Sequence, residues 1–268
     1  MTPPRQIAWP TVLLAVACVC LTSAAVALQA LPLGAGYRAL AFVMATAACF
    51  AGFTPIHESA HHNIAPDRRA NDLVGRLCAP LLLGALGPYR WLHGQHHQQP
   101  NRPGSDPDLY GATGPGWALP IRWFTQDVGY LMFWLRSRRP RAERVELFGF
   151  GAAYVAVGLA AAAAGPQGVM ALLLGWWLPA RLALGLLAVT FAWWPHAPHR
   201  PGEPGRTTVD HPLAAVLLLG QNHHGLHHRH PGVPFYRLAA WKRPVDGISP
   251  PGRTAQGPGR RPPAPAAP

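Results

Sequence analysis

Acidic side chains are scarce in this chain of 268 residues, where 11 Asp and Glu stand against 23 Lys and Arg for a formal net charge of +12. A surplus of that size suits nucleic acid binding, but the arginines are spread over several loops with no nucleic-acid module beside them, which argues for no nucleic acid partner. Cysteine is scarce as well. Cys18, Cys20, Cys49 and Cys78 lie in or near apolar stretches, and their spacing gives neither a disulfide framework nor paired C-x-x-C zinc knuckles. They read as small hydrophobes. G-x-S-x-G is absent, as is a G-x-G-x-x-G after a strand pattern, so neither a serine nucleophile elbow nor a built-in dinucleotide site is expected.

What is present is long uncharged sequence. Residues 11–31, 39–56 and 147–164 carry no charge, and residues 168–194 carry only Arg181. Stretches of about 18–25 residues rise far enough to cross a hydrocarbon core of about 30 Å, so an all-α integral membrane protein with four transmembrane helices is expected. The first run is too long for a signal-peptide core of about 7–15 residues, and only Arg5 precedes it as a positive flank. Residues 73–86 and 117–135 are apolar but interrupted by Arg and Pro or by Asp, and read as interfacial or re-entrant segments. Arg181 should face protein, water or a polar substrate group, or else snorkel.

Residues 57–144 hold eleven arginines, and the chain after Trp194 holds eight Arg and one Lys. The short connections after the first and third spans hold only Arg38. Basic loops stay cytoplasmic, so both termini and the long middle segment are expected on the cytoplasmic side of a bacterial-type inner membrane. From about residue 242 onward the composition is Pro, Gly and Arg, which cannot bury a core. The expected division is a membrane domain at 1–243 and a disordered cytoplasmic tail at 244–268.

None of the fourteen histidines precedes residue 57, and most come in boxes. HESAHH contains His57, His61 and His62; its first five letters match H-E-x-x-H, the zinc protease signature. HGQHH contains His93, His96 and His97, and QNHHGLHH contains His223, His224, His227 and His228. PHAPHR, at the end of the fourth run, adds His196 and His199. Residues three and four apart share a helix face, so each box can aim several imidazoles at one point, and the arginine-derived topology puts all boxes on the same membrane side as a cap. Taken singly, His199, His211 and His230 read as surface or hydrogen-bonding residues. Imidazole suits Zn, Cu, Fe or Ni. A catalytic zinc needs only three protein ligands, whereas eight or nine nitrogens suffice for two ions.

The stretches HESAHH with NDLVGRL, WLHGQHHQQPNRPGSDPDLY, PHAPHR and LLLGQNHHGLHHRHPGVPFYRL resemble the membrane fatty acid desaturase superfamily of histidine-box di-iron enzymes over roughly residues 38–240. Within it they are most similar to cyanobacterial and plant type β-carotene hydroxylases and, more distantly, to β-carotene ketolases. The resemblance implies two iron ions, O2 as co-substrate, and ligation by His57, His61, His93, His96, His97, His196, His224, His227 and His228. His62, His223 and His199 stand as alternative ligands, since each adjoins or parallels an assigned one. The Gly-Gln-Asn step before the third box is matched by Gly220, Gln221 and Asn222, and puts Asn222 beside the ligands. Asp106 and Asp108 either accept the second ring N–H of a ligand or form a polar turn. Glu58, one position from His57, points away from the His57/His61 face and is expected just behind the ligands.

The implied activity is O2-dependent oxidation of a membrane-dissolved, lipophilic substrate, with hydroxylation of a carotenoid β-ring first and fatty acid or acyl-lipid desaturation as the alternative. A carotenoid ketolase, an intramembrane zinc protease using His57, Glu58 and His61, and a metal transporter rank below them. With no electron source of its own visible, the chain is expected to use a separate ferredoxin-like donor with its reductase. The arginine-rich loops offer an acidic donor a surface.

Overall fold

The computed structural model describes residue 4 and residues 6–241. The boundary at 243 and the expected tail at 244–268 lie outside those residues. Among the described residues there is no strand, and four helices are long and apolar enough to cross a membrane. These are α1 (Trp9–Ala30), α2 (Ala35–Ala60), α7 (Arg141–Ala163) and a fourth span running from Gly165 to His196. The uncharged runs thus become helices, but α2 and α7 extend into polar sequence at one end, which carries His57 and Glu58 onto α2.

The fourth span is not one regular helix. It consists of α8 (Gly165–Leu172), a π segment at Leu173–Trp177, α9 (Leu178–Leu187), a second π segment at Ala188–Trp193 and a 3-10 turn at Trp194–His196. Each π segment is followed within two residues by a proline, Pro179 and Pro195. Proline lacks an N–H and its ring crowds the carbonyl four residues back, so the hydrogen-bond ladder widens on its N-terminal side.

Small side chains let the spans approach closely. Ala15 and Cys18 of α1, Ala48 and Cys49 of α2, and Ala180 and Ala183 of α9 meet in one buried cluster. A Cβ on Gly175 would lie 2.5 Å from the Cα of Val26, so glycine is required where the fourth span crosses α1. No residue of α7 is buried.

Hydrogen bonds between the ends fix the directions of the spans. The Ala8 N–H donates to Ile64 O at 2.8 Å, setting the start of α1 beside the end of α2. At the other end, Gln29 Nε2 donates to Arg38 O at 2.8 Å and the Gln167 amide reaches Ala30 O. Glu146, in the second turn of α7, accepts from Gly87 N at 2.8 Å and from Arg76 Nη2 at 2.9 Å. The starts of α1 and α7 and the end of α2 therefore share one end of the bundle.

At that end the middle segment forms α3 (Arg68–Cys78), a 3-10 turn (Ala79–Leu82), α4 (Leu86–Gln98), a 3-10 turn (Pro107–Gly111), α5 (Leu119–Phe124) and α6 (Gln126–Leu135). Every one is too short to cross. Arg90 ties α4 to α3 and α2 by donating to Asp72 and, at 3.0 Å, to Ser59 O. Arg181 ties the fourth span to α6 through two parallel bonds to Asp127, 2.8 Å to Oδ1 and 2.6 Å to Oδ2. Of the environments open to it, this arginine takes the protein. After the fourth span come α10 (Pro212–Leu217), α11 (His224–Arg229) and α12 (Phe235–Trp241).

Candidate metal centre

Three helix ends and one turn supply the imidazoles. His57 lies in the last turn of α2 and His61 caps it. His93, His96 and His97 lie in the second half of α4, His224, His227 and His228 on α11, and His196 closes the fourth span. Because α4 and α11 each place residues three and four apart on one face, these short helices converge on the end of α2.

The nine side chains form two groups, within each of which one ligand atom per residue lies within 4.8 Å of the others. His57, His61, His93, His97 and His227 make the first group, and His96, His196, His224 and His228 the second. In the first, His93 Nε2 is 2.9 Å from His61 Nε2 and 3.1 Å from His97 Nε2, which is 3.1 Å from His227 Nε2. In the second, His228 Nε2 is 3.2 Å from His96 Nε2 and 3.0 Å from His224 Nε2, which is 2.9 Å from His196 Nε2. His97 and His228 join the groups, their rings stacked with centroids 4.3 Å apart.

Burial keeps most of these rings neutral. It holds His61, His93, His224 and His227 well below the ordinary imidazole range, helped by the neighbouring histidines, and lowers His97 to about 2. His228 is lowered for the same reasons. Neutral imidazole is the form that ligates a metal, and several nitrogen lone pairs facing one another in a buried space are best satisfied by a cation. His96 differs. Burial disfavours its cation too, but the carboxylates of Asp108 and Asp106 outweigh that and raise it to about 9.

Asp106 both builds the turn and meets a ring. Its carboxylate accepts from Asn101 N at 2.6 Å and Asp108 N at 2.9 Å, and its oxygens lie 3.0 and 3.1 Å from His96 Nδ1. Asp108 Oδ2 is 3.5 Å from the same nitrogen. The turn and the ring contact, which the sequence offers as alternatives, coexist. Glu58 is buried behind His57, where Oε1 accepts from Phe235 N at 3.2 Å and stands 3.9 Å from His57 Nδ1. Asn222 donates to Val209 O at 2.8 Å and holds the loop before α11.

The remaining candidates stand outside both groups. His62 takes a left-handed backbone with φ 58° and turns away, its Nδ1 3.4 Å from Asn71. His199, at φ 60°, lies 3.3 Å from Asn101 Oδ1. His223 is buried beside Asn222, 3.5 Å from its amide. His211 caps α10 by accepting from Leu213 N, and His230 packs on Trp241.

Two contacts have no precursor in the sequence reading. Gln221 Nε2 lies 3.5 Å from His57 Nδ1, and the Tyr130 hydroxyl donates to Asp108 Oδ1 at 2.6 Å. Gln221 belongs to the Gly-Gln-Asn step, which was a usable signal; nothing local marks Tyr130.

The histidines open onto a cavity of about 240 Å³. His57, His93, His96 and His224 form part of its wall, with Phe53, Leu82, Leu187 and Phe191 among its apolar lining. Phe53 stacks on Phe191, centroids 5.5 Å apart, and Tyr89 stacks on His93 at 5.4 Å.

A family model for fatty acid desaturases matches residues 33–258. A β-carotene ketolase of Paracoccus sp. (strain PC1) is 28% identical over 206 residues, covering 71% of this chain and 76% of that protein. A β-carotene ketolase of Paracoccus sp. (strain N81106 / MBIC 01143) is 26% identical over 209 residues, covering 72% and 74%.

Proposed function

The chain belongs to the fatty acid desaturase family, and from that premise we propose that it oxidises the β-ring of a carotenoid, with hydroxylation at a ring carbon as the first product. It is an oxygen-dependent oxidoreductase with four membrane-crossing helices. The nine grouped histidines would hold two iron ions, five around one and four around the other. Iron bound there supplies the O2 activation needed to break an unactivated C–H bond.

The observation that carries the reading is the wall of the cavity, where histidines of both groups meet apolar side chains. A hydrocarbon ring offers nothing to hydrogen-bond, so the protein can select a carbon only by shape and by burying apolar surface. Phe53, Leu187 and Phe191 line the route a ring would take past His57 and His93. Inserting one oxygen atom into C–H while the other leaves as water consumes two electrons and two protons. A separate one-electron donor of the ferredoxin class is the proposed source.

Ketolation is the second reading, favoured by similarity to the two Paracoccus ketolases. Two successive hydroxylations of one carbon give a geminal diol, which loses water to a ketone. Expression with a ferredoxin system in a host accumulating β-carotene separates the outcomes. Hydroxylated pigment supports the first reading, keto pigment the second, and a new acyl double bond with unchanged pigment rejects both in favour of desaturation.

The histidine end is proposed as cytoplasmic, because the arginine-rich segments gather there. Arg136 and Arg138 are exposed and have no acidic partner among the described residues, whereas Arg139 is held by Glu143 and lies over the Trp91 ring, 4.0 Å from its centroid. Donor docking should therefore weaken with salt, and R136E/R138E should raise the KM for donor roughly tenfold at low ionic strength. A donor KM indifferent to both changes would place docking elsewhere.

A further inference from the structure

The four-histidine group meets the cavity wall at His96 and His224, and the bonds around the His96 ring are unequal. His96 directs Nε2 toward His228 and Nδ1 toward two carboxylates. Asp106 is anchored by two backbone N–H groups, from Asn101 and Asp108. The Asp108 side chain has neither of these anchors; the bond that holds its carboxylate is the one from the Tyr130 hydroxyl, and its own approach to His96 is the longer, 3.5 Å against 3.0 Å. Where Asp108 rests is thus set by where the Tyr130 ring rests.

Tyr130, Asp108 and His96 all line the cavity. The preceding residue explains how the tyrosine is aimed. A Cβ on Gly129 would clash with Cγ and Cδ1 of Tyr110, so glycine lets α6 lie flat on the Pro107–Gly111 turn, and the Tyr110 hydroxyl bonds Oγ1 of Thr125, the residue that caps the start of α6, at 2.9 Å. The phenol therefore enters the cavity from a fixed backbone, with its ring exposed to whatever fills the space. Among the nine grouped histidines, His96 is the one with a carboxylate at hydrogen-bond distance; Nδ1 of His196, His224 and His227 is buried without a protein partner. A ligand's partner on its second nitrogen tunes its orientation and donor strength.

We propose that Tyr130 is a positioning residue that couples occupancy of the cavity to the four-histidine group, by moving Asp108 against His96. This rests on reading the cavity as the substrate site and the histidines as iron ligands. Substrate packing against the phenol would change the Asp108–His96 contact while Asp106 keeps the ring in place, so that one of the two metal positions responds to substrate and the five-histidine position does not respond through this route.

The test uses the full-length, iron-loaded protein in lipid nanodiscs, with β-carotene or an acyl lipid as probe. Near-infrared magnetic circular dichroism of the ferrous form should change on adding substrate to wild type. In Y130F, which removes one hydroxyl, iron content should stay at the wild-type level while the substrate-induced change disappears, and kcat should fall about tenfold with KM little altered. D108N, the next link in the chain of bonds, should behave alike. A wild type that ignores β-carotene but responds to the acyl lipid sinks the carotenoid reading and keeps this one. A wild type that responds to neither, or a Y130F protein that responds as wild type does, overturns it.

Discussion

His93→Ala and His224→Ala are each expected to lower iron content below the wild-type value and to reduce turnover by at least about 100-fold, the upper range seen even for residues that only support a ligand. Each removes a nitrogen from a different group, His93 from the five and His224 from the four. His93 Nε2 touches two other Nε2 atoms, and His224 Nε2 likewise touches those of His196 and His228. Loss of either leaves a hole at the centre of its group and not at the rim. Glu58→Gln is the paired control. A protease built on His57, Glu58 and His61 needs the glutamate as base, yet its Oε1 is engaged with Phe235 N, and an amide oxygen can accept that bond equally well. Iron content and turnover of E58Q should stay near wild type. Elemental analysis with a turnover assay checks both; a dead E58Q enzyme beside an active His224→Ala one would reverse the assignment.

Asp106→Ala should weaken iron binding by about 10–100-fold and destabilise the iron-free protein as well. Three groups lose a partner at once: the backbone N–H of Asn101 and of Asp108 lose their acceptor, and His96 Nδ1 loses the nearer of its two carboxylates. The two N–H groups lie in a buried turn, where an unsatisfied polar group costs about 1–3 kcal/mol. Asp106→Asn keeps one oxygen and should lose less than alanine in both measurements. The readouts are iron competition against a chelator and denaturant unfolding in mild detergent, each on all three proteins. Equal stability of Ala and wild-type chains without iron would mean that the turn stands without its carboxylate.

These expectations separate what sequence alone makes legible from what only the fold supplies. The spans are legible because bilayer crossing demands an uncharged run, and residues 11–31 can do little else. Box spacing is legible for a similar reason, since i, i+3 and i+4 positions share a helix face wherever the helix sits. Choosing between neighbours is not. His61 and His62 differ only in that one caps α2 and the other takes a left-handed turn, a distinction set by how α2 ends. The π segments were hidden because hydropathy is blind to hydrogen-bond register, although the prolines after them were in view. Tyr130 and Gln221 reach their partners across 22 and 164 positions, and no periodicity in either segment encodes a meeting at that separation.

The bond between Arg181 and Asp127 also bears on how the chain is made. The two residues are 54 positions apart, with the aspartate first. An isolated arginine resists entry into hydrocarbon, whereas a bidentate pair enters as a neutral unit. During synthesis the counter-charge of the last span is therefore already on hand before that span leaves the ribosome. An order of assembly from the middle segment to the last helix is the expected consequence, with α6 in place before the final crossing.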